Sequence, residues 1–353
     1  MPSTLTTYVP TPEVTLDGQT SGTLSDLLVA VTVEETTAGL ARCEVRLDNW
    51  TNHASGPGYL WRDRDLVDFG QDLDVTMGPP DERARVFSGR ITGVEADFGP
   101  AGPTLVLLAE DGLQDLRTTR RTRTFDDASD ADVVEKIAND HGLTAEVDLA
   151  GPAHAALCQL NQSDLAFLRD RALPHDADVW LDGRTLHVGQ RRDEPVVLRY
   201  GRELLAVRLL ADLSMQASEQ RVAGWDPDTK EAVLASADQS SLGAELGRDV
   251  GGGRLVADVF GDRPATTTLP RSVTTDEAQA LARGLYRERA RRFVTGTGVV
   301  DGIAGLRAGR SAEVVDVGPV LDGTYRLSRV LHRYDRAAGF RTEVDLERVG
   351  IGR

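Results

Sequence analysis

The chain carries 56 Asp and Glu residues and six His over 353 positions, so the first question is whether any of them form a reactive set. Paired carboxylates can hydrolyse a glycosidic bond as acid and base or nucleophile, but with so many present no pair stands out. His53, His141, His154, His175, His187 and His332 are scattered, and none shows the i, i+4 spacing of a helical metal pair. His141 falls in the last turn of an expected helix, where a cation suits the dipole, and His332 in an expected strand, so structural roles are expected for both. The sequence has no H-E-x-x-H, P-loop, G-x-S-x-G or G-x-G-x-x-G motif. Trp225, Asp226, Pro227 and Asp228 read as the end of a strand and its turn, with too few oxygen ligands at regular spacing for Ca²⁺. No catalytic, metal-ligating or cofactor-binding residue is assigned, and a non-enzymatic protein without cofactors is expected.

Composition narrows the classes further. A formal charge of -16 and a pI near 4.9 argue against general or specific nucleic-acid binding. No run approaches a membrane span, and the N-terminus lacks a basic region followed by an apolar one, so a protein of the bacterial cytoplasm with no membrane partner is expected. Cys43 and Cys158 match no metal or redox spacing and are expected as small buried hydrophobes. Aromatic residues make up 5% of the chain and its Trp residues are dispersed singly, which does not suit a sugar-binding groove. Two Arg clusters remain. Arg287, Arg289, Arg291 and Arg292 crowd a helix end, where the dipole explains them. Arg117, Arg120, Arg121 and Arg123 lie on an extended segment and are expected to pair with carboxylates of a neighbouring subunit or an acidic partner.

The elements that must position these residues are mostly strands. Alternating apolar runs broken by Gly, Pro, Asn and Asp continue to about residue 112, which predicts an antiparallel sheet or small barrel over 1–115. The period then changes. Ser129 precedes a helix with Val133, Val134, Ile137 and Ala138 on one face and Gly142 as its stop, and Ser163 repeats the device before Leu165 and Leu168. Two short strands joined at Asp182-Gly183 complete a small α+β insert over 116–200. Strands return over 201–353, interrupted by a Gly- and Ser-rich loop at 236–262 and by a helix at 274–293 with Thr274 and Glu277 as its capping box. In that loop Gly251, Gly252, Gly253 and Arg254 are expected to form a flexible partner contact. The fold class is α+β, mainly β: two tube-type antiparallel barrel modules, an insert and a connecting helix.

The two β regions echo each other. FGQDLDVTMG, 69–78, corresponds to AGRSAEVVDVG, 308–318, with Gly70 matching Gly309; Ser88-Gly89 before Ile91 corresponds to Asp322-Gly323 before Tyr325. Gly70, Gly89, Gly309 and Gly323 are expected to be the turns of one duplicated module. Three copies of a chain with two like modules would present six in a ring, a geometry that adapts three-fold to six-fold symmetry.

The run EQRVAGWDPDTKE, the ending GLRAGRSAEVVDVGPVLDGTYRLSRVLHRYD, and the middle RTRTFDDASDADVVEKIANDHGL with NQSDLAFLRDRA resemble the phage late control protein D family. This is the tail-hub group that includes VgrG-type and gp27-like proteins of contractile tails and contractile injection systems. The resemblance implies a homotrimeric baseplate hub that joins the hexameric inner tube to a trimeric spike and touches other baseplate proteins within a phage-tail-like particle. VgrG-type members continue into a needle, so a separate spike protein is expected here. It also marks Trp225, Asp226 and Pro227 as a family motif. Cell-wall hydrolysis or glycan binding is the rival reading.

Overall fold

The computed structural model describes residues 11–226 and 229–352. The chain is α+β and mainly β, as its alternating runs imply. It divides into two compact units. One takes in the chain up to Gln114 with Val299–Ala308 and Arg329–Val344; the other comprises Asp115–Gly298, Gly309–Ser328 and Asp345–Arg353. The C-terminal stretch, expected as a single module, supplies residues to both because its strands Gly323–Asp335 and Gly339–Arg348 run past the boundaries.

In the first unit Leu28–Thr36, Arg42–Asp48, Gly102–Glu110, Ala84–Gly99, Asp72–Met77 and Glu13–Leu16 follow one another as antiparallel neighbours. The end of Gly323–Asp335 pairs with Leu28–Thr36 from the other side. Strict alternation buries Val31, Val33, Val45, Leu47, Leu73, Val75, Leu105 and Leu107 in one core, each side chain contributing about 1.5–3 kcal/mol. Within 1–115, read from the sequence as strands alone, a short helix, Gly22–Leu27, precedes the strand Leu28–Thr36, and its N-cap Ser21 accepts from the Leu24 N–H. His332 is fully buried here. Its Nε2–H donates to the Leu306 carbonyl at 3.1 Å and its Nδ1 accepts from the Thr342 hydroxyl at 3.0 Å. Burial and the nearby Arg307 charge push its pKa down to about 3, so the ring is held neutral.

The second unit holds the helices the sequence predicts. Ser129 and Asp132 form a capping box on Asp130–Asp140, Ser163 caps Asp164–Ala172, and Thr274 and Glu277 form a capping box on Thr275–Arg291. Asp182 and Thr185 pair across the tight turn, where Gly183 takes positive φ. Glu219–Asp226 lies between Glu231–Ala237, antiparallel, and Pro264–Ser272, parallel. One face of that sheet, with Val222, Val233 and Ala235, packs on Ala278, Ala282 and Tyr286 of Thr275–Arg291. Cys43 is buried, whereas Cys158, also expected inside, is exposed. Its strand His154–Ser163 pairs with Arg120–Ala128, and Cys158 lies opposite Thr124 on the outward face of that ladder.

The echo is a repeat of backbone geometry. Gly70 and Gly309 have φ of 81° and 86°, and Gly78 and Gly318 have φ of 108° and 100°. Each precedes or closes a short strand, Asp72–Met77 or Ser311–Val315, that pairs antiparallel with a long one. Gly89 is not a turn: it lies within Ala84–Gly99 opposite Leu73, where a Cβ would stand 2.3 Å from the Glu110 carbonyl oxygen. Gly323 opens its strand at φ 147°, and a Cβ there would press on the Arg348 guanidinium. The two glycines aligned by sequence therefore serve different needs.

Candidate partner surfaces

The basic segment forms Arg120–Ala128, and alternation puts Arg121, Arg123 and Phe125 on one side of it. Arg123 is saturated inside its own unit. It donates to Asp164 at 2.8 Å, Asp140 at 2.7 Å and Gln159 at 2.8 Å, and its guanidinium lies over the Phe125 ring. Arg121 reaches Asp164 at 3.2 Å, and His141 Nε2 lies 2.8 Å from the same carboxylate. Asp164 opens a helix and is buried, and an ionised carboxylate can stay there only with cations and donors around it. The expectation that this cluster serves another subunit is thus corrected for Arg121 and Arg123. Arg120 is exposed and donates to the Asn161 carbonyl, and Arg117 is exposed in the last turn of Leu113–Thr118.

A second ionic knot surrounds buried Asp130. Arg171 donates to it through Nε and Nη2, and His175 Nε2 lies 2.7 Å away. Burial alone would raise the Asp130 pKa; the His175 and Arg171 hydrogen bonds and charges outweigh it and hold it near 2. His154 links the knot to the cap of the long helix through Glu277 at 2.9 Å. Both Asp–His contacts share their carboxylate with Arg, which makes ion lattices rather than a general base poised for transfer. Among the described residues no cluster of His, Cys, Asp and Glu is arranged to hold a metal.

The segment expected as a flexible loop is built instead as a 3₁₀ turn, Gln239–Glu245, a short strand, Val250–Gly251, and a helix, Gly252–Phe260. Gly251, Gly252 and Gly253 are buried. A Cβ on Gly252 would meet Phe293 at 2.7 Å, and one on Gly253 the Tyr286 hydroxyl at 2.3 Å. The glycines permit close packing, so a partner would meet Arg254, Val259 and Phe260, which are exposed.

Trp225 is 52% exposed at the end of its strand, and Leu234 is 68% exposed on the same outward sheet face. Asp226 pairs in register with Glu231, as a hairpin requires; Pro227 lies outside the described residues. Sequence reasoning missed a further group: Trp50, Tyr59 and Phe98 form an exposed edge-to-face row with centroids 5.3 Å apart. No spacing signals it, because two separate hairpins bring the rings together.

The chain shares its fold with solved phage tail proteins. The chain superposes over 96% of its length on 98% of the 43 kDa tail protein of prophage MuSo2 from Shewanella oneidensis, at 13% identity and a TM-score of 0.72. It covers 97% of the tail protein from Neisseria meningitidis MC58 with 96% of its own length, at 14% identity and a TM-score of 0.72. An E. coli component of the type VI secretion system, itself structurally similar to the T4 tail proteins gp27 and gp5, matches at 11% identity over 97% of this chain and 79% of that one, with a TM-score of 0.61. No curated protein matches the sequence. The family model of the Alg8 N-terminal domain matches residues 11–335, and the chain belongs to that family. Among the described residues no helix is long and apolar enough to cross a membrane.

Proposed function

We propose that the protein is the structural baseplate hub of a contractile tail or contractile injection system, a homotrimer that joins a hexameric inner tube to a trimeric spike and contacts other baseplate proteins. The observation that carries this reading is the two-way coverage: nearly all of this chain and nearly all of two tail proteins share one fold. The repeated glycine geometry supports it, because two like elements per chain and three chains suit a six-fold ring. The resemblance of the segments around Trp225, Asp130 and Gly309 to late control protein D points the same way. Its work is mechanical: permanent subunit contacts of the roughly 2,000–5,000 Å² class would hold the ring under load.

Native mass spectrometry of the full chain, alone and with candidate tube and spike proteins, tests the reading. A trimer, or three copies recruited by the spike, supports it. A monomer indifferent to both that also turns over peptidoglycan overturns it in favour of a hydrolase.

A further inference from the structure

Trp50 and Tyr59 stand just outside the Thr51–Gly58 pair of one small hairpin, and Phe98 lies opposite Pro103 near the turn of another. The three rings are 51%, 44% and 63% exposed, although aromatic side chains gain heavily from burial. Interplanar angles of 80° and 84° set consecutive rings at right angles, so each pair makes a corner walled by two ring faces. A ring face carries the negative part of the aromatic quadrupole and attracts a cation within about 6 Å of its centroid. Elsewhere the chain fills such faces itself: Arg guanidinium groups lie over Phe69, Phe125, Trp180, Phe260 and Tyr325, 4.5–6.0 Å from the centroids. Among the described residues no Arg lies over Trp50, Tyr59 or Phe98.

The charges beside the row point the same way. Residues 48–60 and 93–104, which make up the two hairpin ends, hold Asp48, Glu95 and Asp97 and no Lys or Arg. Asp48 and Asp97 are both in register with Thr104, one on each side of its strand, and Asp48 is shared with Arg336 at 3.2 Å. Glu95 and Asp97 are exposed and take part in no ion pair among the described residues. We infer that Trp50, Tyr59 and Phe98 form a docking site for a partner polypeptide that presents Arg or Lys, its cation seated against the ring faces and balanced by Glu95 and Asp97. Charge selects this occupant: a second copy of this chain at -16, a nucleic acid or an anionic lipid surface brings negative charge to a rim that already has it. Arg suits the corners best, since a planar guanidinium stacks on a ring while its N–H groups reach a carboxylate.

The site goes beyond the hub reading and does not depend on the number of subunits. The test titrates the full chain with the peptides Gly-Arg-Gly-Arg-Gly and Gly-Glu-Gly-Glu-Gly at about 0.15 M salt, where distant charges are screened. Calorimetry follows binding, and hydroxyl-radical footprinting reads the solvent access of each ring without any variant. Trp50→Leu/Phe98→Leu keeps apolar bulk but removes two ring faces, Glu95→Gln/Asp97→Asn removes the rim charge, and circular dichroism checks that both fold. The expected result is binding of the Arg peptide alone, protection of Trp50, Tyr59 and Phe98, and affinity about 10-fold lower in the ring variant and lower in the charge variant. An Arg peptide that binds wild type and either variant equally, or leaves the three rings unprotected, is held by the acidic chain at large and overturns the inference. Protection by chitotetraose or by phosphatidylcholine vesicles but not by the Arg peptide overturns it and assigns the row to a glycan or a membrane. Protection that rises with protein concentration alone overturns it in favour of a second copy, and rings that no probe protects overturn it outright.

Discussion

Gly70 and Gly309, 239 positions apart in the chain, make the same pair of bonds: the Gly70 N–H donates to the Ile91 carbonyl at 2.8 Å and the Gly309 N–H to Leu327 at 2.7 Å. The return bonds match as well, Ile91 N–H to Gln71 at 3.0 Å and Leu327 N–H to Arg310 at 2.9 Å. The structural partner of Ile91 is therefore Leu327, two residues beyond the Tyr325 that sequence alignment selects. Both glycines are left-handed, which costs a residue with a Cβ about 1–2 kcal/mol. Around Gly70 the space is open, while a Cβ on Gly309 would stand 2.8 Å from Asp178 Oδ2. Gly70→Ala is thus expected to lose about 1 kcal/mol in urea unfolding and Gly309→Ala distinctly more; equal losses would show that backbone strain alone is at work.

Gly253 and Arg254 are neighbours with opposite expectations. Gly253→Ala forces a Cβ toward the Tyr286 hydroxyl and the Ala217 carbonyl, and overpacking of this kind costs about 1–3 kcal/mol. Arg254 is exposed and pairs with Asp258 one turn on, so Arg254→Ala should change stability by less than about 0.5 kcal/mol. Urea midpoints of the two variants decide the matter, and a tolerant Gly253→Ala would mean that the helix Gly252–Phe260 is loosely seated.

Arg123 is expected to matter for folding more than for assembly. Arg123→Ala removes the cation 2.8 Å from buried Asp164, leaving Arg121 and His141 to hold it, and should cost about 3 kcal/mol. Arg120→Ala, which loses one exposed bond to a carbonyl, should cost under about 1 kcal/mol. Reversed magnitudes would return the cluster to the role of a partner surface.

His332 gives the first unit a pH dependence of known sign. In the unfolded chain the ring takes up a proton below about 6.5, whereas in the folded state it stays neutral down to about 3. The unfolded state therefore binds more protons between those values, and stability falls as pH is lowered through that window, by up to about 1.4 kcal/mol per pH unit. His332→Gln can keep a donor to Leu306 and an acceptor for Thr342 without titrating. The stability gap between wild type and variant should move in the variant's favour from pH 7 to pH 5; a constant gap would show that the ring does not stay neutral.

The sequence by itself determined what depends on near neighbours along the chain. Ser129, Ser163 and Thr274 cap their helices because an N-cap needs only the next three residues, and the Asp182-Gly183 turn needs only its own dihedrals. Alternation likewise sorted the strands into buried and outward faces, and the mainly β class followed. Tertiary structure decided whatever depends on residues distant in sequence. Arg121 and Arg123 read as unspent charge until Asp164 arrived from 41 positions away to use Arg123. Gly251, Gly252 and Gly253 read as flexibility until Phe293 and Tyr286 closed on the last two. The row of Trp50, Tyr59 and Phe98 has no local signature at all. Composition fixes how many charges and glycines a chain holds, but only packing determines which charges are neutralised within the chain and which backbone positions have no room for a Cβ.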